Sequence, residues 1–216
     1  MTRLGYLGLC ACLAISLATI TCGSSNSGSG GNNNGGSSGT TTGWDQARIG
    51  NTGTNYEINA QKGAYFIAIQ ISPEDTTAQS TLVTLVQTEV AKVNSGTTAA
   101  PSALMPALSD LPGSGWTVDT TDNSTLASGM VSATDQAKAT DLVDGGADPF
   151  FTSGYSATGM AWEEFTNGTY VVDAKIWKMG SADAAKKLYT GLLTDSYFSQ
   201  DNNSWVACTA TACPTP

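Results

Sequence analysis

The stretch from Gly159 to Asp195, GMAWEEFTNGTYVVDAKIWKMGSADAAKKLYTGLLTD, constrains this chain most. Asn167-Gly168 is a strong two-residue hairpin signal, because the favoured turn needs positive φ at both central residues. Tyr170, Val172, Ala174 and Ile176 then alternate on one apolar face. With a two-residue turn, Phe165 faces Tyr170, Glu163 faces Val172 and Ala161 faces Ala174. Ser181 caps a following helix that turns Ala185, Leu188 and Leu192 inward. The stretch therefore reads as strand, turn, strand, helix.

A looser copy runs from Tyr56 to Val93. Tyr65, Ile67, Ile69 and Ile71 alternate. A turn at Lys62-Gly63 sets Ala60 opposite Tyr65, Ile58 opposite Ile67 and Tyr56 opposite Ile69. Ser72 caps the next helix, Pro73 occupies its first turn, and Glu74 and Asp75 meet the positive end of its dipole. Ala78, Leu82, Leu85, Val86, Val90 and Val93 form its apolar stripe, and Asn94-Ser95-Gly96 ends it. The two units align at Gly63 with Gly168 and at Ser72 with Ser181, as an internal duplication would. The expected fold is α+β, an antiparallel sheet with helices packed on one face, built from two ββα units.

Between the units, Pro101, Pro106 and Pro112 mark a connecting loop with an apolar plug at Leu104-Met105. Trp116–Val118 and Leu126–Val131 are expected to pair with each other. Asp119, Asp122 and Asn123 lack the spacing and closing Glu of a calcium loop and read as a solvated turn. Ser132-Ala133-Thr134-Asp135 resembles a capping box opening a helix that runs to Val143.

Residues 1–21 have the layout of a signal peptide: Arg3, then a charge-free run from Leu4 to Ile20. An uncleaved anchor is the alternative, since the run approaches spanning length. Residues 23–43 hold no aliphatic or aromatic side chain and cannot offset their ordering entropy, so they read as a flexible Gly/Ser/Asn tether. Residues 44–216 remain as a single domain. Cys22 before such a tether resembles a bacterial lipoprotein, whose signal is cut ahead of a Cys that carries lipid. Thr19, Ile20 and Thr21 depart from that pattern, and Leu9-Cys10-Ala11-Cys12 fits it better locally. Cutting there leaves an apolar mature N-terminus, so Cys22 is preferred. The resemblance implies lipid anchoring in the bacterial cell envelope, at the outer membrane on its periplasmic or surface side.

Beyond Arg3 the chain carries 8 basic against 18 acidic residues, a net charge near −10. Such a surface repels nucleic acid and anionic headgroups. There is no histidine, which removes the commonest general base and transition-metal ligand. No metal and no cofactor is expected. Of five cysteines, Cys208 and Cys213 close the chain as C-T-A-T-A-C. In an exported protein they are expected to form a disulfide that ties down the tail.

Three features carry what chemistry there is. Asp144-Gly145-Gly146-Ala147-Asp148 is either a helix end that drops Phe150 and Phe151 into the core or an Asp-flanked binding loop. Glu163 falls on the apolar face, where Ile58 stands in the first unit. Either a β-bulge turns it outward, or it lines a small polar pocket with Asp144 or Asp148. Trp162 and Trp177 lie on the opposite face with Phe66 and Val171, as a partner-contact surface unless a second layer covers them.

Leu111-Pro112 with Gly115-Trp116, Leu142–Asp148, Gly154-Tyr155, and Ile176–Ser181 with Asp183-Ala184 together resemble a family of exported bacterial domains of unknown function. The resemblance spans 111–189 and implies an α+β sheet-and-helix domain. Asp144 and Asp148 stand where that pattern has Asn and Glu. It transfers no catalytic residue.

Two functions follow. The first is a lipid-anchored binding or interaction module without catalysis, partnered by the membrane through its lipid and by an envelope protein, and not by nucleic acid. The second is a carboxylate-dependent hydrolase of envelope polysaccharide, with Glu163 and either Asp144 or Glu164 as the acid pair.

Overall fold

Two hairpins of alternating apolar residues meet at the centre of the sheet. The first is β2 (Tyr56–Lys62) and β3 (Tyr65–Ser72). The second is β6 (Ala157–Thr166) and β7 (Val171–Met179). β3 and β7 pair antiparallel, with Ile67 opposite Ile176 and Ile69 opposite Ala174. β1 (Gln46–Asn51) extends the sheet beside β2, and β8 (Val206–Ala207) lies on β1. On the other side, β4 (Thr117–Val118) and β5 (Val131–Ala133) lie in succession along the outer edge of β6. The result is an eight-stranded antiparallel sheet with helices, an α+β architecture. The computed structural model describes residues 43–51, 53–93, 97–121, 123–143, 148–151, 155–194, 205–209 and 212–213, all within one compact unit, Gly39–Pro216.

Both hairpins are offset by two residues from the expected register. Ala60 pairs with Ile67 and Ile58 with Ile69, around a Gly63-Ala64 turn. Phe165 pairs with Val172 and Glu163 with Ala174. The second loop is four residues long, because the Asn167 side chain accepts the N–H groups of Thr169 (3.0 Å) and Tyr170 (2.9 Å). Gly168 sits there at φ +83°, which a side chain would strain. A shift of two preserves every residue's face, so the face assignments stand. The short segments expected to pair with each other both pair with β6 instead, and so cover an edge that would otherwise be exposed.

The first face carries Ile58, Ala60, Ile67, Ile69, Ile71, Val172, Ala174 and Ile176, all fully buried. Helix α1 (Thr76–Lys92) lays Ala78, Leu82, Leu85, Val86 and Val90 on this face. Asp75, not Ser72, caps it, accepting the Ala78 N–H at 2.7 Å. The Ser72-Pro73 peptide is cis, and the helix begins beyond it. Leu104, Met105, Leu111 and Trp116, from the Pro-rich connection, complete this core.

The second face is also covered, which corrects the expectation of helices on one face. Helix α4 (Ala182–Thr194) packs Ala185, Leu188 and Tyr189 in a second core with Phe66, Met160, Trp162, Trp177 and Met179. Ala139 of α2 (Gln136–Leu142), whose cap is Asp135, and Leu126 belong to the same core. Phe150 of the short α3 (Asp148–Phe151) stacks on Trp177 at 4.1 Å between ring centroids. A repeat of one ββα plan about the β3–β7 pair would put α1 and α4 on the same face, yet they occupy opposite faces.

The tail is pinned by three contacts. A Cys208–Cys213 disulfide closes it, Cys208 N–H donates to Ala47 at 2.9 Å, and the Trp44 indole donates to Thr209. Among the described residues no helix is long and apolar enough to cross a membrane.

Because both faces are buried, Trp177→Ala should destabilise about as much as Leu82→Ala, ~2–5 kcal/mol each by urea denaturation. An exposed tryptophan would cost within ~0.5 kcal/mol.

Candidate functional site

Alternation along the strands sorts the second face into cross-strand rows. Gln61, Phe66, Trp177 and Met160 form one row, and Arg48, Asn59, Ala68, Lys175 and Trp162 the next. Glu57, Gln70, Asp173 and Glu164 form the third. Aromatic side chains thus give way to basic ones, and these to acidic ones, across one sheet.

Arg48 is 2% exposed, and its guanidinium lies 4.4 Å from the Trp205 ring centroid and 5.8 Å from that of Tyr189. Burial lowers its pKa, while neighbouring Tyr189 and Glu57 act to raise it. Gly50 gives Trp205 its place, since a Cβ there would lie 2.6 Å from the indole. Burial raises the Glu57 carboxyl above the usual range, opposed by Asn59, Gln70, Lys175 and Arg48. Gln70 donates to Glu57 at 2.9 Å. Lys175 is held by both Asp173 oxygens (2.6 and 2.7 Å) and lies 4.5 Å from the Trp162 ring centroid.

Beside Lys175 and Trp162 the second face opens into a cleft of about 540 Å3. Asn123, Ser124 and Thr125, from the turn before β5, form one wall. Asp141, Leu142 and Val143, at the end of α2, form another. Trp162 is 7% exposed, and its indole N–H has no acceptor among the described residues.

The expected site residues fall as follows. Trp162 and Trp177 are buried at 7% and 3%, so they are not an exposed contact pair; the second helix layer covers them. Glu163 stays in regular register opposite Ala174, and the β-bulge lies between Ala157 and Gly159, not at Glu163. Half-buried beside Gly129, the Glu163 carboxyl is raised by burial and accepts the Met130 N–H. Glu164 points to the opposite face, so Glu163 and Glu164 cannot act as an acid pair. Asp144, Gly145 and Gly146, with the Asp148 side chain, lie outside the described residues. Cys22 does also, whereas Cys208 and Cys213 are joined. Among the described residues no cluster of His, Cys, Asp or Glu could hold a metal ion.

Glu89 was hidden within the apolar stripe of α1. Its side chain is fully buried, 2.8 Å from Lys92, which also reaches Asp110 (2.8 Å) and the Met105 carbonyl (3.0 Å). This cluster fastens the end of α1 to the connection that completes the first core. The only sequence signal was a Glu-Lys pair three residues apart.

Comparison with protein-family models, curated proteins and solved structures finds no match to this chain.

Burial raises the Glu89 carboxyl from 4.5 to about 7, against the hydrogen bond and charge of Lys92. A carboxyl raised on folding stabilises below its unfolded pKa, and that contribution is lost as pH rises through the folded value. Between pH 4.5 and 8 the wild type should lose up to ~3 kcal/mol, at 1.36 kcal/mol per unit. Asp110 is lowered and acts in the opposite direction, below that window. Glu89→Gln should flatten the profile and equal or exceed the wild type at pH 8, as urea denaturation at the two pH values will show.

Proposed function

We propose that this chain is a lipid-anchored binding module of the bacterial cell envelope, acting without catalysis. Cys22 carries the lipid, residues 23–43 are the tether, and the folded unit offers its second-face cleft to a ligand in the envelope. The proposal includes the membership of residues 111–189 in the exported domain family they resemble. The cleft carries the reading. It gathers donors and acceptors of several kinds beside a buried tryptophan, the pattern of a recognition site. The leader and tether supply the anchoring half of the argument.

The second reading, a hydrolase of envelope polysaccharide, draws support from Glu163, whose raised carboxyl is what a general acid needs. It has lost Glu164 as a partner for that acid.

Cys22→Ala should move the protein from the membrane to the soluble fraction, with the folded unit unchanged by circular dichroism. Retention of the variant in the membrane would refute the lipid anchor.

A further inference from the structure

We infer that the cleft between the Asn123–Thr125 turn, the end of α2 and the Trp162–Lys175 floor binds a neutral polyhydroxylated ligand of the saccharide class. This deepens the binding-module reading and rests on it.

The chemistry of the walls narrows the class. Lys175 places a cation in the floor, but both Asp173 oxygens bond it, so its charge is already matched. Asp141 stands exposed at the rim. An anionic ligand would meet that carboxylate and the acidic net charge of the chain while gaining a cation already paired. A metal ion would find one wall carboxylate, Asp141, and no cluster of ligands among the described residues. A neutral ligand meets neither obstacle.

The donor and acceptor set points to hydroxyl groups. The Lys175 ammonium only donates, and the Asp141 carboxylate only accepts. Ser124 and Thr125 hydroxyls do both. Asn123 spends its side-chain oxygen on the Thr125 N–H at 2.9 Å, which turns its amide nitrogen into the remaining donor. A ligand hydroxyl can both donate and accept, so a ring bearing several of them can answer all three kinds of wall. Leu142 and Val143 give its C–H surface an apolar contact. The volume, about 540 Å3, falls within the ~300–1,000 Å3 of small-molecule sites. Trp162 closes the floor with its ring, and the Lys175 ammonium stands 4.5 Å from the ring centroid.

The test is calorimetric titration of the full-length chain with cellobiose, maltose and the N-acetylglucosamine disaccharide, and with inorganic phosphate and calcium as contrasts. At least one disaccharide should bind, with phosphate and calcium silent. Asp141→Asn and Thr125→Val, both at the cleft wall, should each weaken it at least fivefold with circular dichroism unchanged. Trp162→Phe narrows the floor of the cleft, and should weaken it at least threefold. Saccharide binding that the three variants leave intact would overturn the site. Binding of phosphate or calcium in preference, or no binding by any of the three sugars, would overturn the class. If a bound sugar is cleaved, the reading without catalysis fails while the site stands. If none binds, the saccharide class fails, while the lipid anchor stands or falls on the Cys22→Ala result.

Discussion

The structure depends on the antiparallel pairing of β3 with β7. It joins two hairpins into one sheet, and its register fixes which residue faces which way across four strands. Ile67 meets Ile176 on one face, and Phe66 meets Trp177 on the other. A one-residue slip would exchange the two sets and drive Asp173 and Lys175 into the isoleucine core. The isoleucines and the aromatic residues therefore hold the register from both sides. The short strands β4, β5 and β8 then cover edges that so apolar a sheet would otherwise expose.

The second face is a compromise between burial and charge. Its end near α3 and α4 is aromatic and packs as a core. Its other end keeps Arg48 and Glu57 buried and Lys175 half-buried, where each would be costly alone. The costs are reduced by specific contacts: two aromatic rings for Arg48, Gln70 for Glu57, Asp173 for Lys175. The cleft lies where the cover thins, beside the charged row. A polar layer left partly open is suited to recognition in a way that a sealed apolar core is not.

Much of this was legible in the residues. Alternation in β3 and β7 and the stripe of α1 determined the first core, face by face. Both hairpin registers depart by two residues from the one the apolar pattern predicts, because loop chemistry at Asn167 and Gly63 sets the register more finely than that pattern does. The second layer was not legible. Glu57-x-Asn59-x-Gln61 alternates as a solvated face would, and only the path of α4 shows that it is covered. Glu89 escaped notice for the converse reason: a lone acid among leucines and valines carries no local sign of Lys92 and Asp110, which complete its cluster. Alternation puts Trp162 opposite the isoleucines, but its covering segments come from residues 123–143, far off in sequence.

Native-state hydrogen exchange tests the central claim, a register-locked sheet buried on both faces, most directly. Amides of β3 and β7 bonded to each other should exchange only at the rate set by global unfolding. Those of the short β4 and β5 should exchange orders of magnitude faster. If β3 and β7 amides exchange as readily as those of β4 and β5, the central pairing does not hold the fold together, and the account is wrong.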